Sequence, residues 1–389
     1  MRQNPLNKNL DKATLFGYHG MSNFGDDIFL RVIVELLRSR LGLEHLYVTA
    51  RPGHIPREIN GVELIPIIPA SLRITRLKVF IVFYYALQSR LLCFGAGSLF
   101  TVFPFASYAF LLRLLRFFRR QRSQVIALGV SVGPLKTGSQ TYWCRRLLDR
   151  MDAILLRDTQ SKMLISHGAC RAKVFTGYDL ALLWEPGWHQ NVAASGKYPI
   201  LGLCLNYSGR GNGAIDGVNA SVAATIFRAI SKLMGTDPKI AVRIFIVCTD
   251  TIYGDQQASD DVRELFADHG IIAEVYKYDG ISPEAFLANM KDCFAMITSR
   301  MHAGVLCLMQ EIPTYQISYA AKIDAFYGHC RLQQDFLFRP QQITESSLTE
   351  FIIAARNGIL NNYCTFQRTN LSLCKEHLQA QADMILAAH

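Results

Sequence analysis

The chain has 389 residues, a length that suits two domains better than one ordinary core. Half of the residues are hydrophobic and 19% are charged, which excludes a disordered, collagen-like or coiled-coil protein. The formal net charge is +10, and residues 64–148 contain twelve Lys or Arg but no Asp or Glu. Because these charges lie among Leu, Phe and Tyr, they favour an anionic membrane surface as partner and argue against nucleic acid.

The first half alternates short apolar runs with amphipathic segments, the pattern of β–α–β units in a parallel sheet. Strands are predicted at 13–18, 46–49, 91–94, 125–130 and 153–156, and a helix at 26–40. The uncharged run at 91–112 is long enough to cross a bilayer. Gly95, Gly97 and Pro104 divide this run, so we predict a strand, a turn and a helix there instead.

A Pro-, Gly- and Asn-rich stretch at 185–197 predicts a linker to a second α/β domain. Strands at 200–206, 241–248, 273–276 and 293–298 alternate there with helices at 218–234, 260–269, 283–290 and 304–310. We predict two doubly wound, Rossmann-like domains, at 1–190 and 191–345, and helices at 346–389 that pack back. Ligands of such folds bind in a cleft at the carboxyl ends of the strands.

The cysteines and histidines argue against metal or disulfide chemistry. Ten cysteines lie mostly in apolar runs without a C-x-x-C pair, and the first twenty residues lack the apolar segment of a signal peptide. We therefore expect reduced thiols and a cytoplasmic protein. The histidine spacings do not suit zinc or iron, so no metal is expected.

Two glycine-containing turns follow predicted strands. In GYHGMSNFGDD, backbone N–H groups and a helix N-terminus suit an anion or a sugar hydroxyl, although Asn23 or Asp26 could simply cap the helix. FGAGSLF predicts a second backbone cradle, with Ser98 capping a helix. It matches neither a Walker A loop nor a G-x-G-x-x-G motif, which argues against ATP and NAD.

Two strand ends carry cationic side chains. Arg157 follows the strand at 153–156 and could hold a carboxylate or phosphate, or alternatively pair with Asp158 or Asp179. In ITSRMHAG, a buried strand runs into Arg300 and His302 just before an apolar helix. A titratable imidazole beside a cation and a helix N-terminus favours a catalytic role.

The segment FLLRLLRFFRRQR at 110–122 predicts a helix with two faces. Arg113, Arg116 and Arg120 are expected to share one face. The opposite face would carry apolar residues, namely Leu111, Leu114, Leu115 and Phe118. This pattern is typical of helices beside anionic lipids, and the alternative is a core helix with a solvated basic stripe.

Four segments, in this order, resemble the polysaccharide pyruvyl transferase family over residues 17–326. GYHGMSNFGDD resembles its G-N-x-G-D turn, and FGAGSLF its G-G-G-S-L. LLRDTQSKMLISHGA, with TGYDLALL downstream, resembles R-D-x-x-S and D-x-A-x-L, and ITSRMHAGVLCLMQEIPTYQISYAAK resembles S-x-R-x-H…G-x-P…Y-x-x-K. Ala96, Glu311 and Ala320 depart from the family pattern.

The resemblance implies a glycosyltransferase-B-like fold and a ketal pyruvyltransferase that moves pyruvate from phosphoenolpyruvate, a co-substrate, to a sugar; no cofactor is expected. It implies His302 as general acid and Arg157 and Lys322 as cations for the donor. The implied donor-binding residues are Arg300, Ser299, Gly95, Gly97 and Ser98, and the implied acceptor-binding residues are Asn23, Gly25 and Asp26.

The resemblance also implies a lipid-linked acceptor in exopolysaccharide or cell-surface polymer assembly. The protein would then associate peripherally with the inner face of the cytoplasmic membrane. Two alternatives stay open: a nucleotide-sugar glycosyltransferase, with Glu311 as its candidate acid, and a non-catalytic scaffold.

Overall fold

The computed structural model describes most of the chain: residues 11–50, 59, 62–66, 75–101, 103–119, 124–166, 170–186, 198–206, 220–236, 240–249, 254–271 and 273–387. The chain divides into two compact units. Unit 1 comprises Met1–Met21, Asp26–Trp184 and Cys374–His389, and unit 2 comprises Ser22–Gly25 and Glu185–Leu373. The predicted domain boundary after residue 190 lies outside the described residues.

Unit 1 contains a seven-stranded parallel sheet in the order β3-β2-β1-β4-β5-β6-β7. Its strands are β1 (Lys12–His19), β2 (His45–Ala50), β3 (Val62–Pro66), β4 (Leu91–Phe94), β5 (Gln124–Val130), β6 (Ala153–Leu156) and β7 (Lys173–Thr176). The helices are α1 (Phe24–Leu41), α2 (Thr75–Leu87), α3 (Phe105–Arg119), α4 (Gly138–Leu148) and α5 (Thr159–Ser166), with a 3₁₀ turn at Leu180–Leu183.

Unit 2 contains a six-stranded sheet in the order β10-β9-β8-β11-β12-β13, and all its pairings are parallel. Its strands are β8 (Ile200–Cys204), β9 (Ala241–Ile246), β10 (Ala273–Lys277), β11 (Cys293–Thr298), β12 (Thr314–Ile317) and β13 (Leu337–Phe338). The helices are α6 (Ala220–Thr236), α7 (Gln256–Ala267), α8 (Pro283–Lys291), α9 (Met301–Met309), α10 (Ala321–His329), α11 (Glu345–Arg356) and α12 (Asn361–Ala387), with a 3₁₀ turn at Pro340–Gln342.

Burial explains why both sheets are parallel. Strands β4 and β6 are buried at every position, and β8 likewise, so each sheet needs cover on both faces. In unit 1, α2, α3 and α4 join strand residues in one apolar core cluster. In unit 2, α6 and α11 do the same. The predicted parallel α/β architecture is therefore confirmed.

The end of α12 belongs to unit 1. Leu378 lies beside Gly177, where an added Cβ would come within 2.7 Å of its side chain. Arg40 of α1 pairs with Asp383 of α12 at 2.7 Å. The C-terminal helices are α11 and α12, and the end of α12 packs within unit 1.

The run at 91–112 forms the predicted strand and helix, β4 and α3. Among the described residues, no helix combines the length and the hydropathy needed to cross a bilayer. All ten cysteines carry free thiols, and Cys170 is the one that is not fully buried.

The predicted basic stripe on α3 is wrong in one respect. Arg116 lies against Asp152, with 2.7 Å between Nη2 and the carboxylate, so it does not share the exposed face with Arg113. Arg120 lies outside the described residues. Leu111 and Leu115 belong to the core of unit 1, because a helix covering a sheet must bury its aliphatic side there.

Candidate active site

Three adjacent strands of unit 2 end in hydrogen-bonded polar side chains. Asn206 follows β8, Ser299 follows β11 and Tyr319 follows β12. The Asn206 backbone N–H donates to Ser299 Oγ at 2.7 Å, and the Asn206 amide donates to the Tyr319 hydroxyl at 3.3 Å. Ser299 is fully buried. Its observed contact therefore joins two strand ends.

Arg300, at the N-terminus of α9, forms a buried ion pair with Asp255. The distances from Nε to the two carboxylate oxygens are 2.9 and 3.0 Å, and Nη2 makes a further short contact. Burial alone would lower the pKa of Arg300, but the charge and hydrogen bonds of Asp255 outweigh it and hold the pKa above its usual value. The guanidinium is therefore permanently charged and fixed in orientation.

His302 occupies the first turn of α9 and packs against the backbone of Gly25. A Cβ built on Gly25 would lie 1.9 Å from His302 Nδ1, closer than any side chain allows. Glycine is needed here because of this close approach. The N-terminal turn and the imidazole, 277 positions apart (302 minus 25), therefore form one local structure in unit 2.

The turn containing Asn23 and Gly25 is bound to the rest of unit 2 by a backbone hydrogen bond and by ring packing. The Phe24 N–H donates to the Val247 carbonyl at 2.9 Å, and the Phe24 ring packs against Phe286 with 5.0 Å between centroids. The Gly25 N–H donates to Asn23 Oδ1 at 3.0 Å. Asn23 therefore caps α1, the structural role that the sequence left open for it.

Lys322 lies in the first turn of α10 and is exposed. No ion pair joins it to another side chain in the described parts of the chain. Since β12 adjoins β11, Lys322 and His302 follow the same edge of the unit 2 sheet. Within the described residues, no three His, Cys, Asp or Glu side chains are grouped as metal ligands.

Arg157 forms a second arginine centre, in unit 1. Its Nε lies 2.5 Å from Ser131 Oγ, its Nη2 lies 3.0 Å from Ser98 Oγ, and its Nη1 lies 3.4 Å from an Asp179 oxygen. These partners follow β5, β4 and β7, the strands around its own strand β6. The ion pair with Asp179 that the sequence left open is present, but it is long.

The glycine turn after β4 is shaped by Arg157. A Cβ on Gly97 would lie 2.2 Å from Arg157 Nη1, and a Cβ on Gly17 would lie 2.2 Å from the Gly95 carbonyl oxygen. Ser98 accepts a hydrogen bond from Arg157 and does not cap a helix, since α3 begins only at Phe105. The predicted helix cap at Ser98 is therefore wrong.

The start of α1 in unit 1 carries carboxylates, with Asp26 and Asp27 in its first turn. Acidic side chains there are stabilised by the helix dipole. At the end of β1, His19 is fully buried, and burial lowers its pKa to about 4, an effect that the backbone of Asp26 opposes only in part. His19 is therefore neutral at physiological pH.

The sequence interpretation missed one of the two carboxylates that pair with the arginines. It named Asp179 as a possible partner of Arg157, but it did not identify Asp255, which is 45 positions from Arg300. No local motif signals Asp255, because it lies in the polar segment before α7. A buried strand end with an arginine is the available signal, since such a cation requires a nearby carboxylate.

Comparisons with known proteins agree with this architecture. The sequence profile of the polysaccharide pyruvyl transferase family matches residues 23–320. A search of curated proteins finds no match.

Solved structures of similar fold include UDP-GlcNAc 2-epimerase from Neisseria meningitidis bound to UDP-GlcNAc, with 10% identity, a TM-score of 0.59 and coverage of 97% of this chain and 98% of that one. Another is Anabaena Alr3699/HepE in complex with UDP and glucose, with 12% identity, a TM-score of 0.58 and coverage of 98% and 99%. At these identities the likeness concerns the fold alone, which is glycosyltransferase-B-like.

The family match covers the turn at Asn23, both arginine centres and the strand end at His302. It spans well over half of the chain. It includes the second and third resembling segments in full, the first from Asn23 onward and the fourth up to residue 320. The chain belongs to the polysaccharide pyruvyl transferase family.

Proposed function

We propose that this protein transfers pyruvate from phosphoenolpyruvate to two hydroxyl groups of a sugar, forming a cyclic ketal. The observation that carries the proposal is the family match over residues 23–320, which contains the His302–Gly25 contact. The acceptor is a lipid-linked precursor of an exopolysaccharide or another cell-surface polymer. Phosphoenolpyruvate is a co-substrate in this scheme.

His302 is the proposed proton donor. Protonation of the donor's methylene carbon makes C2 electrophilic, one sugar hydroxyl adds there, and the second displaces phosphate by cleavage of the C–O bond. Of the two protons lost by the sugar, one balances the hydrogen gained by the methyl group and the other balances the phosphate released. General acid catalysis of this kind contributes about 10² to 10⁴ in rate.

Cations near the strand ends of unit 2 support donor binding. Phosphoenolpyruvate carries a phosphate and a carboxylate, and an exposed ammonium such as Lys322 can bind either. Arg300 is largely neutralised by Asp255, so its proposed contribution is to orient the N-terminus of α9, where backbone N–H groups attract anions. Ser299 fixes the same strand end.

Arg157 is proposed to bind an anionic group of the donor, together with the backbone of Gly95 and Gly97 and the hydroxyl of Ser98. The long separation from Asp179 leaves this guanidinium less neutralised than Arg300. Asn23, Gly25 and Asp26 are the proposed acceptor contacts. Polar groups at a helix N-terminus suit sugar hydroxyls.

The test is to incubate the protein with phosphoenolpyruvate and lipid-linked sugars, and to measure inorganic phosphate and the mass of the sugar product. The proposal expects equal amounts of phosphate and pyruvylated sugar. Phosphate release without a pyruvylated sugar, or no reaction with any acceptor, would count against it. Phosphoenolpyruvate labelled with ¹⁸O at the bridging oxygen should give labelled phosphate if the C–O bond breaks.

A parallel incubation with UDP-sugars tests the glycosyltransferase alternative, in which UDP would be released. Glu311, the candidate acid of that alternative, binds Arg368 of α12 at 2.7 Å and accepts from Thr365 at 3.3 Å. Its carboxylate is thus already used in packing α12. This arrangement favours the pyruvyltransferase over the alternative, and turnover of any kind would reject a non-catalytic scaffold.

A further inference from the structure

Two neighbouring helices of unit 1 expose large aromatic side chains. On α2, Phe80 and Tyr84 are 57% and 61% exposed and lie four positions apart. On α3, Phe110 and Phe117 are 54% and 75% exposed, and Arg113 lies on the same face between them. Spacings of three and four residues place these α3 side chains in one stripe. We call these five residues the aromatic–basic face.

Both stripes lie on the outer side of one helical layer. The inner sides of α2 and α3 contribute Val82 and Leu112 to the same core cluster, together with Phe94 from the sheet beneath. Phe83 of α2 meets Phe118 of α3, with 6.1 Å between ring centroids. The inner sides of the two helices therefore already cover the apolar face of the sheet. The outward aromatic rings are not needed for packing within unit 1.

The layer continues into α4, which packs against α3. There Tyr142 and Trp143 are 50% and 38% exposed, and the adjacent Arg145 and Arg146 are exposed as well. In sequence, the stretch at 64–148 has twelve Lys or Arg and no Asp or Glu. The outer side of the layer thus presents exposed aromatic rings together with the exposed cations Arg113, Arg145 and Arg146.

We propose that the aromatic–basic face binds the surface of a bilayer that contains anionic lipids. Aromatic rings are favoured at the depth of the lipid headgroups, and Arg gains attraction from anionic lipids. The aliphatic face of α3, which the sequence suggested for lipid contact, is buried in the core, so the contact is made by the opposite, aromatic side. This proposal is independent of the pyruvyltransferase activity.

The charge of the aromatic–basic face favours a membrane over a second copy of the chain as its partner. In a two-fold symmetric dimer the same patch meets itself, so Arg113, Arg145 and Arg146 would face a patch of identical sign. Such like-charge contacts oppose association, whereas an anionic membrane neutralises them. The charge pattern therefore favours the membrane.

The experiment is flotation of the full chain with vesicles of neutral phosphatidylcholine, and with vesicles that also contain phosphatidylglycerol. The wild-type protein is expected to float with the anionic vesicles and to lose most of that binding in high salt. Combining Phe110→Ser with Phe117→Ser should lower partitioning at least about tenfold, because two rings lose their burial in the interface. Arg113→Glu should lower it by a similar factor.

Matched controls lie in unit 2. Phe366 is 43% exposed on α12, and Lys232 has a side chain that is 69% exposed on α6. Phe366→Ser and Lys232→Glu should float like the wild type. Circular dichroism of every variant confirms that it is folded.

Three outcomes would overturn the proposal. The first is absence of wild-type binding to anionic vesicles, and the second is equal binding by the wild type and the Phe110/Phe117 variant. The third is a dimer in solution that the Phe110/Phe117 variant dissociates, since the face would then be a self-association surface. A free-phosphate competitor distinguishes binding of single anions from binding of the bilayer, and the proposal expects no displacement beyond that caused by equal ionic strength.

Discussion

Each unit places an arginine directly after a buried strand and before a helix, but the two arginines are held differently. Arg300 makes close contacts with a fully buried carboxylate, Asp255, whereas Arg157 binds two serine hydroxyls and a more distant carboxylate, Asp179. A cation neutralised at close range mainly fixes local structure. One held by hydroxyls retains more of its attraction for an added anion. On this basis we propose that Arg300 orients the start of α9 and that Arg157 binds an anion.

The largest expected effect is a difference in stability between variants of the two carboxylates, Asp255 and Asp179. Asp255→Asn leaves the Arg300 guanidinium buried without its counter-charge, which should destabilise unit 2 by about 3–5 kcal/mol. Asp179→Asn should cost unit 1 only about 1–3 kcal/mol, because the contacts of Arg157 with the serines remain. Hydrogen exchange of β11 and β6 reports each unit separately. A larger loss in unit 1 than in unit 2 would contradict the comparison.

The two glycines beside the key side chains provide the next test. Gly25→Ala places a methyl group on the His302 ring and should reduce turnover by about 10²-fold through misplacement of the imidazole. Gly97→Ala would push the Arg157 guanidinium from its serine contacts. We expect a smaller loss, about tenfold, because the proposed role of Arg157 is to bind the donor and not to transfer the proton.

Gly138→Ala is the control, since nothing lies within 4 Å of its Cβ position. Initial rates of phosphate release measure all three variants. If Gly25→Ala retained wild-type activity, the His302–Gly25 contact would have no catalytic importance.

His19, at the end of β1, should make the stability of the protein depend on pH. The pKa of His19 falls from 6.5 to about 4 on burial. Between these pH values the unfolded chain binds a proton at His19 that the folded chain does not bind. The free energy of unfolding therefore decreases as the pH falls from 6.5 to 4, and His19 accounts for about 3 kcal/mol of this decrease. Below pH 4 this contribution stays lost.

His19→Gln should flatten that part of the stability profile, measured by urea unfolding at several pH values. His45→Gln is the matched control, because the His45 side chain is 63% exposed. Identical pH profiles for the wild type and His19→Gln would show that burial of His19 does not contribute to acid sensitivity.

The smallest effects are expected at Glu311, which adopts the left-handed backbone conformation with φ of 59°. Glu311→Gly removes this strain but loses the partly exposed pair with Arg368, so stability should change by less than about 1 kcal/mol. Activity should remain unchanged. A large loss of activity with unchanged stability would support the glycosyltransferase alternative.

The alternation of apolar runs and amphipathic segments was sufficient to predict both parallel sheets. It did not predict the edge strands β3, β7 and β13, which have only two to five residues each. It also missed α2, which is apolar almost all round, and α4, which mixes aromatic and basic residues without a clear period. The strand-end arginines and His302 were found because polar groups after buried strands are costly unless they are used. The contacts of Arg300 with Asp255 and of His302 with Gly25 were not predicted, because only the tertiary fold brings these distant residues together.

The assignment of the N-terminal turn shows the same limit. Asn23, Gly25 and Asp26 lie within four residues of sequence, and they were predicted to act together in the N-terminal domain. In the structure Ser22–Gly25 groups with unit 2 and Asp26 with unit 1. Hydrogen bonds to the segment after β9 determine this division, and no feature of a single turn sequence encodes such a distant partner.

The most direct test of the central claim is the reaction of wild-type protein and His302→Gln with phosphoenolpyruvate and a lipid-linked acceptor in D₂O. We predict that the wild type forms a ketal whose methyl group contains one solvent-derived deuterium, and that His302→Gln forms it about 10² to 10⁴ times more slowly. A wild-type product without deuterium in its methyl group, or equal rates for the two proteins, would contradict proton transfer by His302.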